Sequence, residues 1–290
     1  MTALLPPPVP GTPDGPWDGG VLTASVRCVL APNPGPMTLD GTNTYVLAAP
    51  GSSRAVVVDP GPDDPDHLDH VVDDLARYDQ QAAMVVLTHG HADHSAGAPG
   101  LARRLRCPVR AVDPQHRLGD EGLADSVRVT VDGLEIDVRA TPGHTADSVC
   151  LHLPADGVLL TGDTVLGRGT TVVAHPDGVL SDYLQSLAAL EAFAAENPGL
   201  RLLPGHGPAG APVADVVALY RAHRAARLAQ VTDAVAAGAR SLDDVVARVY
   251  ADVDRALWPA ARVSVQAQVD YLVQTGILRQ DSDALSVPGA

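Results

Sequence analysis

The residues best suited to chemistry in this chain sit in one short run, Thr88-His-Gly-His-Ala-Asp-His94. Neutral imidazole and carboxylate are good ligands for zinc and related cations. His89, His91, Asp93 and His94 put four potential ligands in six residues. One catalytic metal ordinarily takes fewer from a single loop, so the run points to two metals. Three further segments place a ligand type in a turn behind an expected strand: Thr141-Pro-Gly-His144, Leu160-Thr-Gly-Asp163 and Leu203-Pro-Gly-His206. The bland alternative is a surface histidine cluster. The repeated strand–turn–ligand pattern speaks against it, because loops beyond strand ends gather over a sheet and carry sites.

These ligands need strands to hold them. Met84–Leu87 is a continuous apolar run directly before the histidine cluster, the pattern of a buried strand. Short strands are expected at 109–112, 127–131, 134–139, 149–153, 158–161 and 200–203, with β-prone runs earlier at 45–47 and 55–58. An acidic amphipathic helix is expected at 66–78, where Leu68, Val71, Val72 and Leu75 share one side. Further helices are expected from the histidine run to Arg106 and at 182–195. The remainder reads differently. A long helix at 212–237 precedes Ser241-Leu-Asp-Asp244, a helix start resembling a capping box. Val265, Val269 and Leu272 then recur at helical spacing, and Gly276 suits a C-terminal cap. A small hairpin over 277–287 completes a winged-helix order. The expected organisation is an irregular segment at 1–20, a catalytic domain at 21–210 and a winged-helix-like domain at 211–290.

Composition narrows the functions. The chain has 290 residues, 20 basic side chains (all arginine) against 35 acidic ones, and a net charge of -15. That balance disfavours a general DNA-coating or membrane-surface protein. Aromatic residues make up 3%, too few for a platform that stacks single strands. Cys28, Cys107 and Cys150 are too few and too far apart for a disulfide framework or a zinc ribbon. No apolar run is long enough for a membrane span. The first residues carry no basic group, so no secretory or transit peptide is expected and cytoplasm is the expected location.

Read together, the HxHxDH run, the later histidine, the aspartate and the last histidine resemble the metallo-β-lactamase-fold hydrolases over residues 22–210. The resemblance implies an α/β fold, an αββα sandwich with a dinuclear site holding two Zn2+ ions per chain. His89, His91 and His144 would hold one metal, Asp93, His94 and His206 the other, and Asp163 would bridge them. Asp59, in Val-Val-Val-Asp-Pro-Gly, would support the metal loop by hydrogen bonding. β-Lactamases of this fold commonly carry cysteine or serine at the bridge. Asp163 instead points to phosphodiester or thioester hydrolysis, with metals about 3.5–4 Å apart. The segments GTNTY at 41–45, TPGHTADS at 141–148, LTGDTVLGRGTTV at 160–172, DYLQSL at 182–187 and LPGHG at 203–207 are similar to the β-lactamase-like-protein-2 group. That group includes a single-strand endoribonuclease with a C-terminal winged-helix-like domain. Only 43 residues separate Asp163 from His206, which leaves no room for the inserted domain of the cleavage-and-polyadenylation type.

The expected activity is therefore hydrolysis of single-stranded RNA through a metal-bridging hydroxide, formed near neutral pH because coordination lowers the pKa of water to about 7. Asp93, His94 and Asp163 are the expected catalytic residues. Arg168 is a candidate substrate contact because guanidinium matches a phosphate bidentately; a loop-fixing ion pair is an equal alternative. Asn43 is a second candidate, with a turn role weighed against it. Arg221, Arg224 and Arg227, beside His223, form a candidate basic stripe for RNA or an ordinary solvated face. His175 is a candidate to approach the cleft. His67 and His70 are expected on the solvated surface, and His116, His152 and His223 as structural or exposed. Cys150 is expected as a small buried hydrophobe. Net charge is the chief argument against RNA, since an acidic body does not attract a polyanion at long range. Two alternatives stand beside it: a small-molecule acyl hydrolase of thioesters or lactones, and a non-catalytic winged-helix module that binds nucleic acid, with structural metal. Expected partners are RNA or a small ester or thioester, with no membrane and a possible homodimer.

Overall fold

The computed structural model describes residues 15–282 and 284–288; most of the segment expected to be irregular, 1–14, lies outside them. The first sheet takes its strands in chain order: β1 (Gly19–Val21), β2 (Val26–Leu30), β3 (Asn43–Leu47), β4 (Arg54–Val58), β5 (Gln81–Val86) and β6 (Val109–Arg110). β1 to β4 pair antiparallel, whereas β4, β5 and β6 run parallel. Parallel neighbours need a crossover. α1 (Pro65–Arg77) makes the first, and the short α2 (Ala92–Ser95) with α3 (Ala98–Leu105) makes the second.

The second sheet has the order β11–β10–β9–β8–β7, from β7 (Arg128–Val131), β8 (Leu134–Ala140), β9 (Val149–Leu153), β10 (Val158–Gly162) and β11 (Arg201–Pro204). Only β10 and β11 are parallel there, joined by α4 (Leu180–Glu196). Alternation sets the faces of β7 and β8. Val129, Val131, Leu134, Ile136 and Val138 are buried, while Arg128 pairs outside with Glu135 and Asp137 across the strands.

The two sheets close on one apolar layer, with Tyr45, Leu47, Val58 and Val86 facing Ile136, Val138, Leu151 and Leu160. α1 and α3 cover the outer face of the first sheet through Leu68, Val71 and Leu101. α4 and the start of α5 (Val213–Ala236) cover the second through Tyr183, Leu187, Val216 and Tyr220. This is the expected αββα sandwich. α5 then leaves it. Its far end joins α6 (Leu242–Val249), α7 (Trp258–Gln274) and the hairpin β12 (Arg279–Asp281) and β13 (Ala284–Ser286) around a separate core of Val231, Val245, Val265, Val269 and Leu285. Ser241 and Asp244 form the expected capping box. The order is that of a winged helix. No helix among the described residues is long and apolar enough to cross a membrane.

The parallel pairs position the site. β4 and β5 end at the same edge of one sheet, and β10 and β11 at the same edge of the other. The turns that follow these ends carry Asp59, the histidine run, Asp163 and His206.

Candidate metal centre

His89 and His91 follow β5, and α2 turns Asp93 and His94 back toward them. His144 sits in the tight turn between β8 and β9, Asp163 directly beyond β10, and His206 beyond β11. Ligand atoms of His89, His91 and His144 lie within 4.8 Å of one another, and so do those of Asp93, His94 and His206. His144 Nε2 is 3.0 Å from His91 Nδ1, and His94 Nε2 is 3.2 Å from His206 Nε2. Asp163 stands between the trios. Its Oδ1 is 3.4 Å from His94 Nε2, and its Oδ2 is 3.4 Å from His206 Nε2 and 3.7 Å from His144 Nε2.

Three of the inward nitrogens are aimed by outward hydrogen bonds. His144 Nδ1 donates to Val172 O at 2.8 Å, His206 Nδ1 to Gly41 O at 3.1 Å, and His94 Nδ1 to Asp59 Oδ2 at 2.9 Å. This fixes the tautomer and leaves Nε2 lone pairs pointing inward, as second-sphere acceptors do in metal sites. Asp59 also accepts from Thr88 N at 2.8 Å and Thr88 Oγ1 at 2.6 Å. Both its oxygens are thus occupied in clamping the loop that carries His89. Asp59 holds this position at φ 50, the left-handed region.

The donor set fits divalent cations. With Nδ1–H turned outward, His94 and His206 bring their Nε2 atoms within 3.2 Å of each other and toward Asp93 and Asp163, a nitrogen-and-carboxylate donor set of the kind that holds divalent cations. The buried Asp163 Oδ1 has no hydrogen-bond partner. Close packing shapes the rest. A Cβ on Gly205 would fall 2.4 Å from Asp163 Oδ1, and one on Gly143, at φ 127, would fall 2.2 Å from Tyr183 N. Both turns therefore need glycine to bring their histidine in.

Electrostatics polarise the two halves. Burial opposes ionisation of Asp163, but His206 and His94 outweigh it and hold the carboxyl well below its usual range. Burial likewise opposes charge on His94 and His206. The carboxylates beside them, Asp163 with Asp59 for the one and Asp163 with Asp93 for the other, nevertheless raise both, His206 to about 9. Burial lowers His89 and His144. The Asp93 half is thus proton-rich without metal, and cations entering it displace protons.

The other candidates are distributed differently from expectation. Asn43 is fully buried; its Nδ2 donates to Pro204 O and Gly207 O, both at 2.9 Å, and its Oδ1 accepts from Trp17. It ties the β11 turn to β3. Arg168 lines a cavity of about 130 Å³ beside Asp163 and His144. Its guanidinium is engaged by Asp40 and Gly15 O, so the loop-fixing ion pair is present. The arginine stripe is corrected. Arg224 and Arg227 are 5% and 8% exposed, because that face of α5 turns toward the sandwich and α7 rather than toward solvent; the exposed Arg221 pairs with Glu191. His67 is corrected too. It is fully buried, with Nε2 2.9 Å from Thr44 Oγ1. The period that places Leu68 and Val71 inward also brings His67 in at the helix start, a signal available from the sequence. His175 pairs with Asp270 of α7 at 3.2 Å. Cys150 is buried as expected.

Comparison with known proteins agrees with this geometry. Residues 37–206 match the metallo-beta-lactamase superfamily model, and residues 241–285 match the beta-lactamase associated winged helix domain. The chain is 32% identical over 269 residues to a beta-lactamase-like protein 2 homolog of Caenorhabditis elegans, covering 89% of this chain and 87% of that protein. It is 33% identical over 219 residues to an atrochrysone carboxyl ACP thioesterase of Aspergillus chevalieri, covering 74% and 67%. A beta-lactamase domain protein from Burkholderia ambifaria has the same fold, with a TM-score of 0.80, 24% identity and 96% of each chain covered.

Proposed function

The chain belongs to the metallo-beta-lactamase superfamily of metal-dependent hydrolases, and from that premise we propose that it hydrolyses acyl thioesters at a centre for two zinc ions. The observation that carries this reading is the path to the ligands. The cavity at Asp163 and His144 opens between residues 36–39 and 166–172, and continues into a second cavity of about 210 Å³. Met37, Tyr250, Val253 and Leu257 are among the walls of that second cavity. A narrow, largely apolar slot suits the extended uncharged body of a thioester. The RNA reading implied by the sequence resemblance drew on an exposed arginine stripe, and two of its three arginines are buried. RNA is therefore the comparison substrate in the test. A purely structural metal fits poorly, because Asp163 lines the open cavity and the Asp93 side chain is 31% exposed.

His89, His91 and His144 would hold one ion, Asp93, His94 and His206 the other, with Asp163 between them. When bound, the ions supply acidified water and a polarised carbonyl. The residues do the rest. Asp59 and Thr88 keep the metal loop rigid. Asp93, the most exposed carboxylate of the set, takes a proton from the attacking water at its outer oxygen and returns it to the departing sulphur. The water oxygen bonds to the carbonyl carbon, the C–S bond breaks, and carboxylate and thiol leave. Arg168 lies where it borders the entering substrate.

The test is thiol release from a short acyl thioester by the zinc-loaded protein, set against cleavage of a labelled single-stranded RNA. Chelator-sensitive thiol release that Asp163→Ala abolishes is expected. RNA cleavage without thioester turnover would overturn the reading.

A further inference from the structure

Two buried arginines, Arg224 and Arg227, lie in the groove that continues from the metal centre. Among the described residues other than Asp252 and Asp254, no carboxylate oxygen comes within 4.0 Å of Arg224 or Arg227, whereas Arg221 on the same helix faces Glu191. Both are more than nine-tenths buried. Arg224 donates to Thr171 O and lies over the Tyr183 ring at 4.9 Å, and its buried Nε has no hydrogen-bond partner. Arg227 reaches neutral acceptors, Gln230 Oε1 at 3.0 Å and Val249 O at 3.4 Å, and lies over Tyr250 at 4.7 Å. Both line the cavity of about 210 Å³ between the sandwich and the C-terminal helices, alongside His223 and Ser264. That cavity shares Pro36, Met37, Thr170, Thr171 and Val172 with the one over Asp163.

Burying two guanidiniums is costly unless an anion completes the site. His223 adds no charge, since burial and the two arginines lower it to about 4. Planar guanidinium is the side chain best matched to phosphate, and the surrounding walls are apolar. We infer that Arg224 and Arg227 form an anion subsite, separate from the metal centre, that holds the phosphate at the far end of a thioester substrate's arm. This rests on the thioester reading of the metal centre. One phosphate joined by an uncharged arm to the scissile bond matches one charged pocket joined by a narrow slot to the metal ligands. A nucleic acid would present a phosphate at every residue along that path.

The test measures binding rather than turnover, so it can be read even where thioester hydrolysis fails. Calorimetry on the zinc-loaded protein compares 4′-phosphopantetheine with pantetheine, which lacks the phosphate. A charge-assisted pair of this kind should favour the phosphorylated arm by roughly tenfold to a hundredfold. Arg227→Gln should remove most of that preference and Arg227→Lys should keep part of it, with pantetheine binding unchanged in both. Ala260→Glu sets a carboxylate into the groove wall while leaving both arginines in place, and should remove the preference too. The same preference in Arg227→Gln and Ala260→Glu as in the parent would place the phosphate on the metals and overturn the subsite. A short single-stranded RNA that loses affinity in both variants, while phosphopantetheine is ignored, would overturn the thioester arm.

Discussion

The buried histidine of α1 makes a quantitative prediction. Thr44 Oγ1 donates to Asp59 O at 2.7 Å, so it accepts from His67 Nε2 at 2.9 Å. His67 Nδ1 is buried without a partner. The neutral Nε2–H ring fits, and a second proton would find no acceptor. Burial accordingly lowers His67 from 6.5 to about 4, with Asp64 raising it slightly and His70 lowering it. The unfolded chain binds a proton through this range that the folded chain refuses, so stability falls as the pH drops from 6.5 toward 4 and is unaffected above 6.5. The full displacement corresponds to about 3 kcal/mol, of which about 2 kcal/mol is lost by pH 5. His67→Gln keeps a donor for Thr44 and cannot titrate. In urea unfolding at pH 7.5 the variant should be less stable by about 1 kcal/mol for its imperfect packing. The gap should close and reverse by pH 5. Metal loss at acid pH affects both proteins and cancels in the difference. A gap constant within about 0.5 kcal/mol from pH 7.5 to 5 would refute the reasoning.

Three other expectations follow from contacts around the centre. Asp59→Asn replaces an acceptor of three donors with a group that repels at least one, and should weaken metal binding by about 10- to 100-fold in a chelator competition. Asn43→Ala strands Gly207 O and the Trp17 indole and leaves Pro204 O to the Tyr45 hydroxyl alone, and should lower unfolding stability by about 2–4 kcal/mol; a neutral result would deny that it anchors the β11 turn. Asp163→Ala should reduce hydrolysis by orders of magnitude while the exposed His70→Ala leaves it near the parent rate, so equal rates would place Asp163 outside the site.

The site was legible in the sequence because its ligands follow strand ends, and a strand end followed by Pro-Gly-His or Gly-Asp leaves few ways to fold. The candidate ligands were readable residue by residue for that reason, and the sandwich from apolar runs such as 84–87, whereas the division of the ligands into two trios came from the resemblance to the metallo-β-lactamase-fold hydrolases. The misreadings have other causes. Arg224 and Arg227 are polar residues on a helix that buries more than one side, whereas His67 lies on the single buried face of α1, where its polarity outweighed the period. α5 passes from the sandwich into the winged helix, so both its faces meet protein, and periodicity alone names no outer face. Charge at spacing three therefore looked like a solvated stripe. Asn43 looked like a turn residue near the cleft; only the long-range approach of β11 to β3 reveals which carbonyls it holds.

The most direct measurement of the central claim is metal content paired with activity. Protein purified without chelators and analysed by plasma mass spectrometry should carry about two zinc ions per chain. Removing them should abolish thioester hydrolysis, and restoring zinc should recover it. Protein that stays metal-free and hydrolyses its substrate at the full rate would contradict the account.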